Sequence, residues 1–323
     1  MRESWKRLRY RLEYWGVLLV ARGVPLLSRG ACVRLSRWLG AATYWLDGRG
    51  RAVALSNLEA AFGGEYSPAQ RRRIARCSYQ GFARTMLDLL WARRLTPENY
   101  GEYMRIENKG VLDEARKQGR GIVMLCTHAV NFEWASLASG FCGFPATMVA
   151  QAFKNPAVGE VFFHLRQISG NRLIPQERSA VRMLKHVKTG GMTGMLIDLN
   201  QKPGQASALI EAFGMKMCVT LLHAMLADRG GALLVPCEAD PLPDGVTRLI
   251  VHPPLEIAPG ASLREIAQAC WDVFEPILRE KPHLWLWPYK HWRYKPADAA
   301  RPYPFYANVS PQFEKLLRET TKS

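Results

Sequence analysis

The sequence predicts an α/β protein in which a mixed, mostly parallel sheet is flanked by helices and preceded by an N-terminal helical region. Two observations predict this fold class. From about residue 111 onward, short apolar runs of strand length alternate with segments of helical apolar spacing, as in sheets covered by helices on both faces. Before that point the apolar spacing is helical and the chain is basic. We therefore divide the chain into a helical region, 1–110, and an α/β domain, 111–323.

Two stretches of the N-terminal region have apolar residues at clear helical spacing. They are VRLSRWLGAATYWL and RIARCSYQGFARTMLDLLWARRL, and turn signals at 63–64 and 67–68 separate them. Ser67 suits the N-cap of the second helix, with Pro68 in its first position. The sequence therefore predicts long helices ahead of the sheet.

The second region contains five apolar runs that predict strands. They are GIVMLC (121–126), PATMVA (145–150), MTGMLI (192–197), ALLVPC (232–237) and VTRLIVH (246–252). Helices are predicted in NFEWASLASG, PAVGEVFFHLRQISG, SAVRMLKHVKTGG, residues 217–229 and SLREIAQACWDVFEPILRE. In the last of these, Ser262 and Glu265 have the spacing of a capping box. The polar tail after residue 308 predicts a surface helix or a frayed end.

The charge of the chain predicts anionic partners. Its 323 residues include 44 Lys and Arg against 28 Asp and Glu, which gives a net charge of +16 and a pI near 9.8. Such a balance favours nucleic acid, an anionic membrane, a phosphorylated lipid or an acidic protein, and does not choose among them. The seven scattered cysteines form no CxxC pair, which is typical of buried thiols in a reducing compartment. We expect neither a metal nor a cofactor.

The first thirty residues predict attachment to a membrane surface. They contain seven basic and two acidic side chains, and the basic cluster precedes the apolar stretch EYWGVLLVARGVPLL. The apolar run from Tyr14 to Ala21 is too short to span a bilayer, which takes roughly 20 apolar residues. A basic flank followed by Trp and Leu fits an anchor on an anionic membrane face. The alternative is an amphipathic helix packed on the protein's own core.

The stretch MLCTHAVNFEWA, residues 124–135, contains the strongest candidate for catalysis. His128 follows the predicted strand 121–126, at the carboxyl end where α/β sheets gather their sites. Glu133 follows in the first turns of the next predicted helix. A carboxylate that orients one ring nitrogen leaves the other free to act as a general base. Because the chain has no GxSxG, we expect direct transfer without a covalent enzyme intermediate.

Ordered motifs across residues 15–296 carry a family resemblance. THAVNFEWA resembles the H-x4-D/E motif of glycerolipid acyltransferases and, more narrowly, the H-x-G-N-[WF]-E form of the late acyltransferases of lipid A biosynthesis. The segments RAVALSNLEAAF, FKNPAVGEVFFHLRQISGNRLIP, MLIDLNQ with EAFG, and PHLWLWPYKHWRYKP are similar to further blocks of that family. The matching positions outside the histidine motif are Arg51, Asn57, Lys154, Asn155, Pro156, Arg166, Gly170, Asp198, Phe213, Gly214, Trp285, Trp287, Arg293 and Lys295.

The resemblance implies an activity and a set of roles. It implies a glycerolipid acyltransferase-like fold and a membrane-associated O-acyltransferase on the cytoplasmic face of the bacterial inner membrane. The donor would be an acyl carrier protein thioester and the acceptor a hydroxyl of a lipid A precursor. His128 would be the general base and Glu133 its orienting carboxylate. Substrate-binding residues would be Arg166, Lys154, Asn131 and Asp198, with Asn131 also suited to cap a helix and Asp198 to a turn or cap.

Two alternatives remain open at the level of the sequence. Gln151, Leu199 and Ala212 depart from the usual family residues, so the acceptor could instead be a phospholipid, an aminolipid or a phosphatidylinositol mannoside. The other alternative is a basic membrane- or nucleic-acid-binding protein without catalysis. We expect no nucleic acid partner.

The segment LWLWPYKHWRYKP mixes large aromatic side chains with cations. Such a mixture suits a membrane interface or lipid phosphates, and equally a packed core with cations at its edge. Stacking on single-stranded nucleic acid is a third interpretation.

Overall fold

The structure is a computed structural model and describes residues 2–204 and 206–321. Met1, Lys322 and Ser323, at the ends of the two predicted regions, and Gln205 lie outside the described residues. The helices are α1 Arg2–Gly23, α2 Arg29–Leu46, α3 Gly48–Phe62, α4 Pro68–Trp91, α5 Gly110–Lys117, α6 Phe132–Phe141, α7 Pro156–Gln167, α8 Ser179–Lys188, α9 Leu222–Gly230, α10 Leu263–Glu280 and α11 Pro311–Thr321. The strands are β1 Met104–Glu107, β2 Ile122–Cys126, β3 Ala146–Ala150, β4 Arg172–Pro175, β5 Met192–Leu196, β6 Ser207–Ala212, β7 Met215–Thr220, β8 Leu233–Pro241 and β9 Thr247–Val251.

Seven strands form one sheet in the order β1-β9-β8-β2-β5-β3-β4. Every neighbouring pair is parallel except β8 and β9. β6 and β7 form a separate antiparallel hairpin. The mixed, mostly parallel sheet with flanking helices is the predicted fold class, which is confirmed.

Most predicted elements are present. The five predicted strands correspond to β2, β3, β5, β8 and β9, and the helix in the tail after residue 308 is α11. Residues 217–220, predicted as the start of a helix, are instead the end of β7, where β-branched Val219 and Thr220 pair with β6 across the hairpin. Both predicted caps form, because the Ser67 and Ser262 side chains accept hydrogen bonds from the N3 backbone.

The helical region contributes four long helices, α1 to α4. α2 lies along α4, and α4 reaches the core beside α6. β1 precedes residue 111 and pairs with β9 at the edge of the sheet, so one strand of the sheet comes from the region that the sequence predicts to be helical. The division at residues 110 and 111 stays a prediction.

Helices cover the sheet on two faces. In β2, Val123 and Leu125 pack against α8, α9 and α10, whereas the alternate residues Ile122 and Met124 pack on the side of α5. Ile106 packs both against this α5 side and against the hydrophobic cluster that includes α4, α6 and α7, so these helices lie on the same face as α5. The structure therefore places α8 and α7 on opposite faces of the sheet.

The aromatic segment near the C terminus is part of the core. Trp285, Trp287 and Trp292 are fully buried and surround Phe213, whose ring lies 5.6 Å from that of Trp285. Of the three interpretations of LWLWPYKHWRYKP, packing therefore describes its tryptophans. Asn57 holds the segment in place by donating to the carbonyls of Trp287 and Tyr289.

Within the described residues, the helices lack the combination of length and apolar character that crossing a bilayer requires.

Candidate active site

His128 and Asp198 occupy equivalent positions on neighbouring parallel strands. β2 and β5 are adjacent, and their last residues, Cys126 and Leu196, are register partners. His128 and Asp198 each lie two residues further along. The backbone N–H of Ile197 donates to the carbonyl of Cys126 and continues the pairing one step. The two side chains therefore meet at the carboxyl edge of the sheet, where α/β proteins place their sites.

The Asp198 carboxylate orients the His128 ring. Its Oδ1 lies 2.7 Å from Nδ1 of His128, and its Oδ2 accepts from the His128 backbone N–H at 2.8 Å. The indole N–H of Trp285 donates to the same Oδ2 at 2.8 Å. Since an ionised carboxylate only accepts hydrogen bonds, Nδ1 carries the proton and Nε2 is the basic nitrogen of the neutral ring.

The Asp198 carboxyl is buried and yet ionised. Burial by itself raises the pKa of this carboxyl, but the charge and hydrogen bond of His128 and the hydrogen bond from Trp285 outweigh burial and lower the pKa to about 2. His291 stacks on Trp285 with ring centroids 3.8 Å apart, and burial lowers its pKa to about 4. The neutral His291 ring thus backs the indole that donates to Asp198.

Glu133 has a different partner from the one expected. Both of its oxygens accept from Nε of Arg166, at 3.1 and 3.0 Å, and Oε1 also accepts from Nη2. The expected contact between Glu133 and the His128 ring is replaced by that of Asp198. The physical reason is that Glu133 lies in the first turn of α6 and faces α7, which carries Arg166, while the ring faces β5.

Asn131 is a buried connector at the start of α6. It adopts the left-handed conformation with φ of 63° and occupies the N-cap position, but its side chain makes no capping hydrogen bond. Its amide instead donates to Asp88 and Thr247, at 2.9 and 2.7 Å, and its backbone N–H donates to Thr85. Asn131 is fully buried, so it fixes the loop that carries His128 from behind.

Lys154 lies apart from these groups. Its side chain is exposed in the loop before α7, and it is not among the residues that line the cavity described below. Its neighbour Asn155 is buried and donates to the Tyr10 carbonyl and the Glu13 carboxylate of α1. This block of the chain therefore attaches the first helix to α7.

A largely apolar cavity of about 800 Å³ opens beside His128. Glu133 and Arg166 contribute to its wall with His128. Of the departures from the family pattern, Gln151 and Leu199 line the cavity, whereas Ala212 is buried in β6. The apolar wall includes six methionines, Met124, Met148, Met183, Met192, Met195 and Met225. Flexible thioether side chains suit a long apolar guest of variable shape.

The sequence pattern does not predict two features of this site. Trp285 belongs to the C-terminal motif, but the motif does not indicate that the indole N–H donates to Asp198, 87 positions away. The pattern gives no role to the buried Asp88, although its carboxylate pairs with Arg29 and Arg84 as well as with Asn131. The available signal for Asp88 is an acid in an otherwise apolar helical stretch, LDLLW.

Comparison with known proteins identifies the class of protein that this fold and site define. The model of the bacterial lipid A biosynthesis acyltransferase family matches residues 2–294. A lipid A biosynthesis acyltransferase of Haemophilus influenzae is 22% identical over 302 residues, which cover 88% of this chain and 89% of that protein. The lipid A biosynthesis lauroyltransferase of Escherichia coli K12 is 22% identical over 296 residues, or 89% and 93% of the two chains.

Two further similarities have lower sequence identity. The lipid A biosynthesis acyltransferase 2 of Shigella flexneri is 20% identical over 298 residues, which cover 90% of this chain and 92% of that protein. Among solved structures, the 1-acyl-sn-glycerophosphate acyltransferase of Thermotoga maritima matches 78% of this chain and 97% of its own, with 15% identity and a TM-score of 0.37.

The chain belongs to the bacterial lipid A biosynthesis acyltransferase family. It is an acyltransferase of lipid A biosynthesis that acts on a lipid acceptor.

Proposed function

We propose that this enzyme transfers a fatty acyl chain from an acyl carrier protein thioester to a hydroxyl of a lipid A precursor. The observation that carries the proposal is the His128–Asp198 pair at the edge of a largely apolar cavity of about 800 Å³. That arrangement joins a general base to a compartment of the size and polarity that a ligand with a long hydrocarbon tail needs.

His128 moves the proton in this mechanism. Its Nε2 accepts the proton of the acceptor hydroxyl as the oxygen attacks the thioester carbonyl carbon. A tetrahedral oxyanion forms, the C–S bond then breaks, and the imidazolium returns the proton to the leaving thiolate. The products are an ester on the acceptor and a free carrier thiol. General-base assistance of this kind contributes about 10²- to 10⁴-fold in rate.

Asp198 and the Glu133–Arg166 pair have separate roles in this mechanism. Asp198 holds Nδ1 and stabilises the imidazolium. Glu133 occupies Nε and Nη2 of Arg166, so the guanidinium is fixed in the cavity wall with Nη1 left for the substrate. A fixed cation there can bind the oxyanion or an acceptor phosphate. Exposed Lys154 is a further phosphate contact outside the cavity wall.

The N-terminal region is proposed to hold the enzyme on the cytoplasmic face of the bacterial inner membrane. Five apolar side chains of α1 alternate at spacings of three and four, which places them on one face of the helix. They are between 48% and 74% exposed and comprise Trp5, Leu8, Leu12, Trp15 and Leu19. Exposed Trp and Leu on a helix with basic neighbours fit insertion at an anionic interface. High-salt washing should therefore leave the protein on membranes and detergent should release it, whereas release by salt alone contradicts an apolar anchor.

A second acceptor class has a specific observation in its favour. Gln151 and Leu199, two departures from the usual family residues, line the cavity. Side chains in that position would contact a substrate bound in the cavity. A phospholipid, an aminolipid or a phosphatidylinositol mannoside is therefore the alternative acceptor.

The test follows the acceptor by mass spectrometry. Detergent-solubilised enzyme is incubated with carrier thioesters of several chain lengths and a tetra-acylated lipid A precursor, beside His128→Ala. A mass gain of one acyl chain that His128→Ala abolishes is the expected result. A gain that survives His128→Ala contradicts the mechanism. A gain found only when total membrane lipids replace the precursor assigns the alternative acceptor.

A further inference from the structure

The outward face of α8 carries a row of unpaired cations. Arg178, Arg182 and Lys185 are exposed. Arg178 is the N-cap residue of α8, and its carbonyl accepts from the Arg182 backbone N–H, so the three cations follow one another along one side of the helix. Among the described residues, none of the three has a carboxylate within ion-pair distance. Between positions 172 and 197 the chain has five basic residues and one acid, Glu177. The exposed Val181 lies between these cations.

The inward face of the same helix forms part of the acyl cavity. Ser179, Ala180 and Met183 line the cavity, and Met183 is fully buried. Arg178 and Arg182 immediately precede Ser179 and Met183 in the chain. A partner bound along the cationic row would therefore lie one helix diameter, about 10 Å, from the space that takes the acyl chain.

The cationic row does not share a face of the sheet with the proposed membrane anchor. α1 is tied to α7 through Asn155, Tyr10 and Glu13, and α7 packs on the face that holds α4 and α6. α8 packs with α9 and α10 on the opposite face. A bilayer in contact with the exposed apolar stripe of α1 therefore lies on the face of the sheet opposite to α8. For this reason a soluble anionic partner suits α8 better than a membrane.

We propose that the outward face of α8 is the docking surface for the acidic acyl carrier protein that delivers the acyl chain. The inference rests on the proposed function and adds to it the surface at which the donor binds. Unpaired cations attract an acidic partner and steer its approach. The exposed Val181 offers an apolar contact beside the row. Docking there presents the thioester arm of the carrier to the cavity that α8 helps to enclose.

The experiment reverses the charge of the row in the full-length, detergent-solubilised enzyme. Arg178→Glu, Arg182→Glu and Lys185→Glu are combined, and the matched control combines Arg72→Glu, Arg73→Glu and Arg76→Glu. The control residues are exposed on α4 and produce the same change in net charge. Binding of fluorescently labelled acyl carrier protein is measured at low and moderate salt, with KM and kcat for its acyl thioester.

The α8 variant should bind the carrier at least about tenfold more weakly, a loss of roughly 1.4 kcal/mol, and should raise KM more than it lowers kcat. The control variant should remain within about twofold of the wild type. Arg178→Lys with Arg182→Lys keeps the charge and should retain binding. An unchanged melting temperature confirms that each variant is folded.

Three outcomes overturn the assignment of α8. Equal losses in the α8 and α4 variants show that net charge alone matters. Unchanged carrier binding in the α8 variant removes the docking surface. Loss of binding to vesicles of phosphatidylglycerol and phosphatidylethanolamine, with carrier binding intact, assigns α8 to the membrane. None of these three outcomes contradicts the proposed function. The proposed function is contradicted by a different result, namely that the wild-type enzyme transfers no acyl chain from any carrier thioester.

Discussion

Asp198 contacts His128 at two points, the ring Nδ1 at 2.7 Å and the backbone N–H at 2.8 Å. The second contact fixes the loop and the first fixes the ring, so neither can rotate without breaking a charge-assisted hydrogen bond. The pair depends on the register of β2 and β5, so the pairing of these two strands positions the site.

The indole of Trp285 should matter more for activity than that of Trp287. Both are fully buried, but Trp285 donates to Asp198 whereas Trp287 donates to the Pro282 carbonyl. Trp285→Phe removes a hydrogen bond to a buried charge, which is worth about 1.5–3 kcal/mol. We expect kcat to fall roughly tenfold or more in Trp285→Phe, beyond the effect of Trp287→Phe. Equal kinetic losses in the two variants, at equal melting temperatures, would show that the hydrogen bond to Asp198 has no catalytic consequence.

Removing one member of the Glu133–Arg166 pair should destabilise the fold more than removing both. Glu133 is buried, and Arg166→Met leaves its charge unpaired, which costs about 2–4 kcal/mol because the arginine is itself only a quarter exposed. The double variant Glu133→Gln with Arg166→Met should regain part of that free energy of unfolding. A double-mutant cycle on chemical denaturation measures the coupling. Additive losses would contradict the pairing.

As the pH falls, protonation of buried histidines should destabilise the protein before the Asp198 carboxylate becomes protonated. Burial lowers the pKa of His223 from 6.5 to about 4, and neither ring nitrogen has a hydrogen-bond partner within the described residues. Because the folded state disfavours the charged ring, stability is full above about pH 6.5 and is lost as the pH falls towards 4, by up to about 3 kcal/mol.

The measurement is the melting temperature from pH 7 to pH 4 of the wild type and of His223→Leu. The variant should lose less stability over this interval, with His291 accounting for part of the remaining loss. His164→Gln, at an exposed position on α7, is the control and should follow the wild type. A His223→Leu profile parallel to that of the wild type would rule out His223 as a source of the acid sensitivity.

A side chain at Gly194 should shorten the acyl chain that the enzyme accepts. Gly194 lines the cavity, and a Cβ there would lie 3.3 Å from Cγ and Sδ of Met148. The valine side chain in Gly194→Val therefore occupies part of the cavity volume that the acyl chain needs. Each buried methylene is worth about 0.8 kcal/mol, so kcat/KM should fall roughly fourfold for every methylene excluded.

The measurement compares kcat/KM across carrier thioesters of increasing length. Gly101→Val is the control, because a Cβ at Gly101 meets nothing within 4 Å. A uniform loss across all chain lengths in Gly194→Val would place the acyl chain elsewhere.

The two members of the proposed catalytic pair can be found in the sequence, but their contact with each other cannot. His128 and Asp198 each follow an apolar run, so both could be placed at strand ends. Which strands are neighbours could not be read, because β5 lies between β2 and β3 in the sheet although it follows both in the chain. Sequence proximity favoured Glu133, five positions from the histidine, over Asp198, seventy positions away.

Two of the four strands that the sequence does not predict, β1 and β4, share a physical reason. They are four-residue strands at the two edges of the sheet, where half of the backbone groups are unpaired and polar residues are tolerated. The tryptophans of the C-terminal motif were equally hard to place. Large aromatic side chains beside cations suit an interface and a core alike, and only the tertiary packing around Phe213 decides between them.

The most direct test compares Asp198→Asn with Glu133→Gln in single-turnover acyl transfer from a carrier thioester. Asp272→Asn, at an exposed site on α10, is the control for loss of one negative charge. Because Asp198 holds Nδ1 of His128, we expect Asp198→Asn to lower the rate about 10²- to 10⁴-fold and Glu133→Gln to lower it less. A near wild-type rate in Asp198→Asn, with a larger loss in Glu133→Gln, would contradict the assignment of Asp198 as the residue that orients His128.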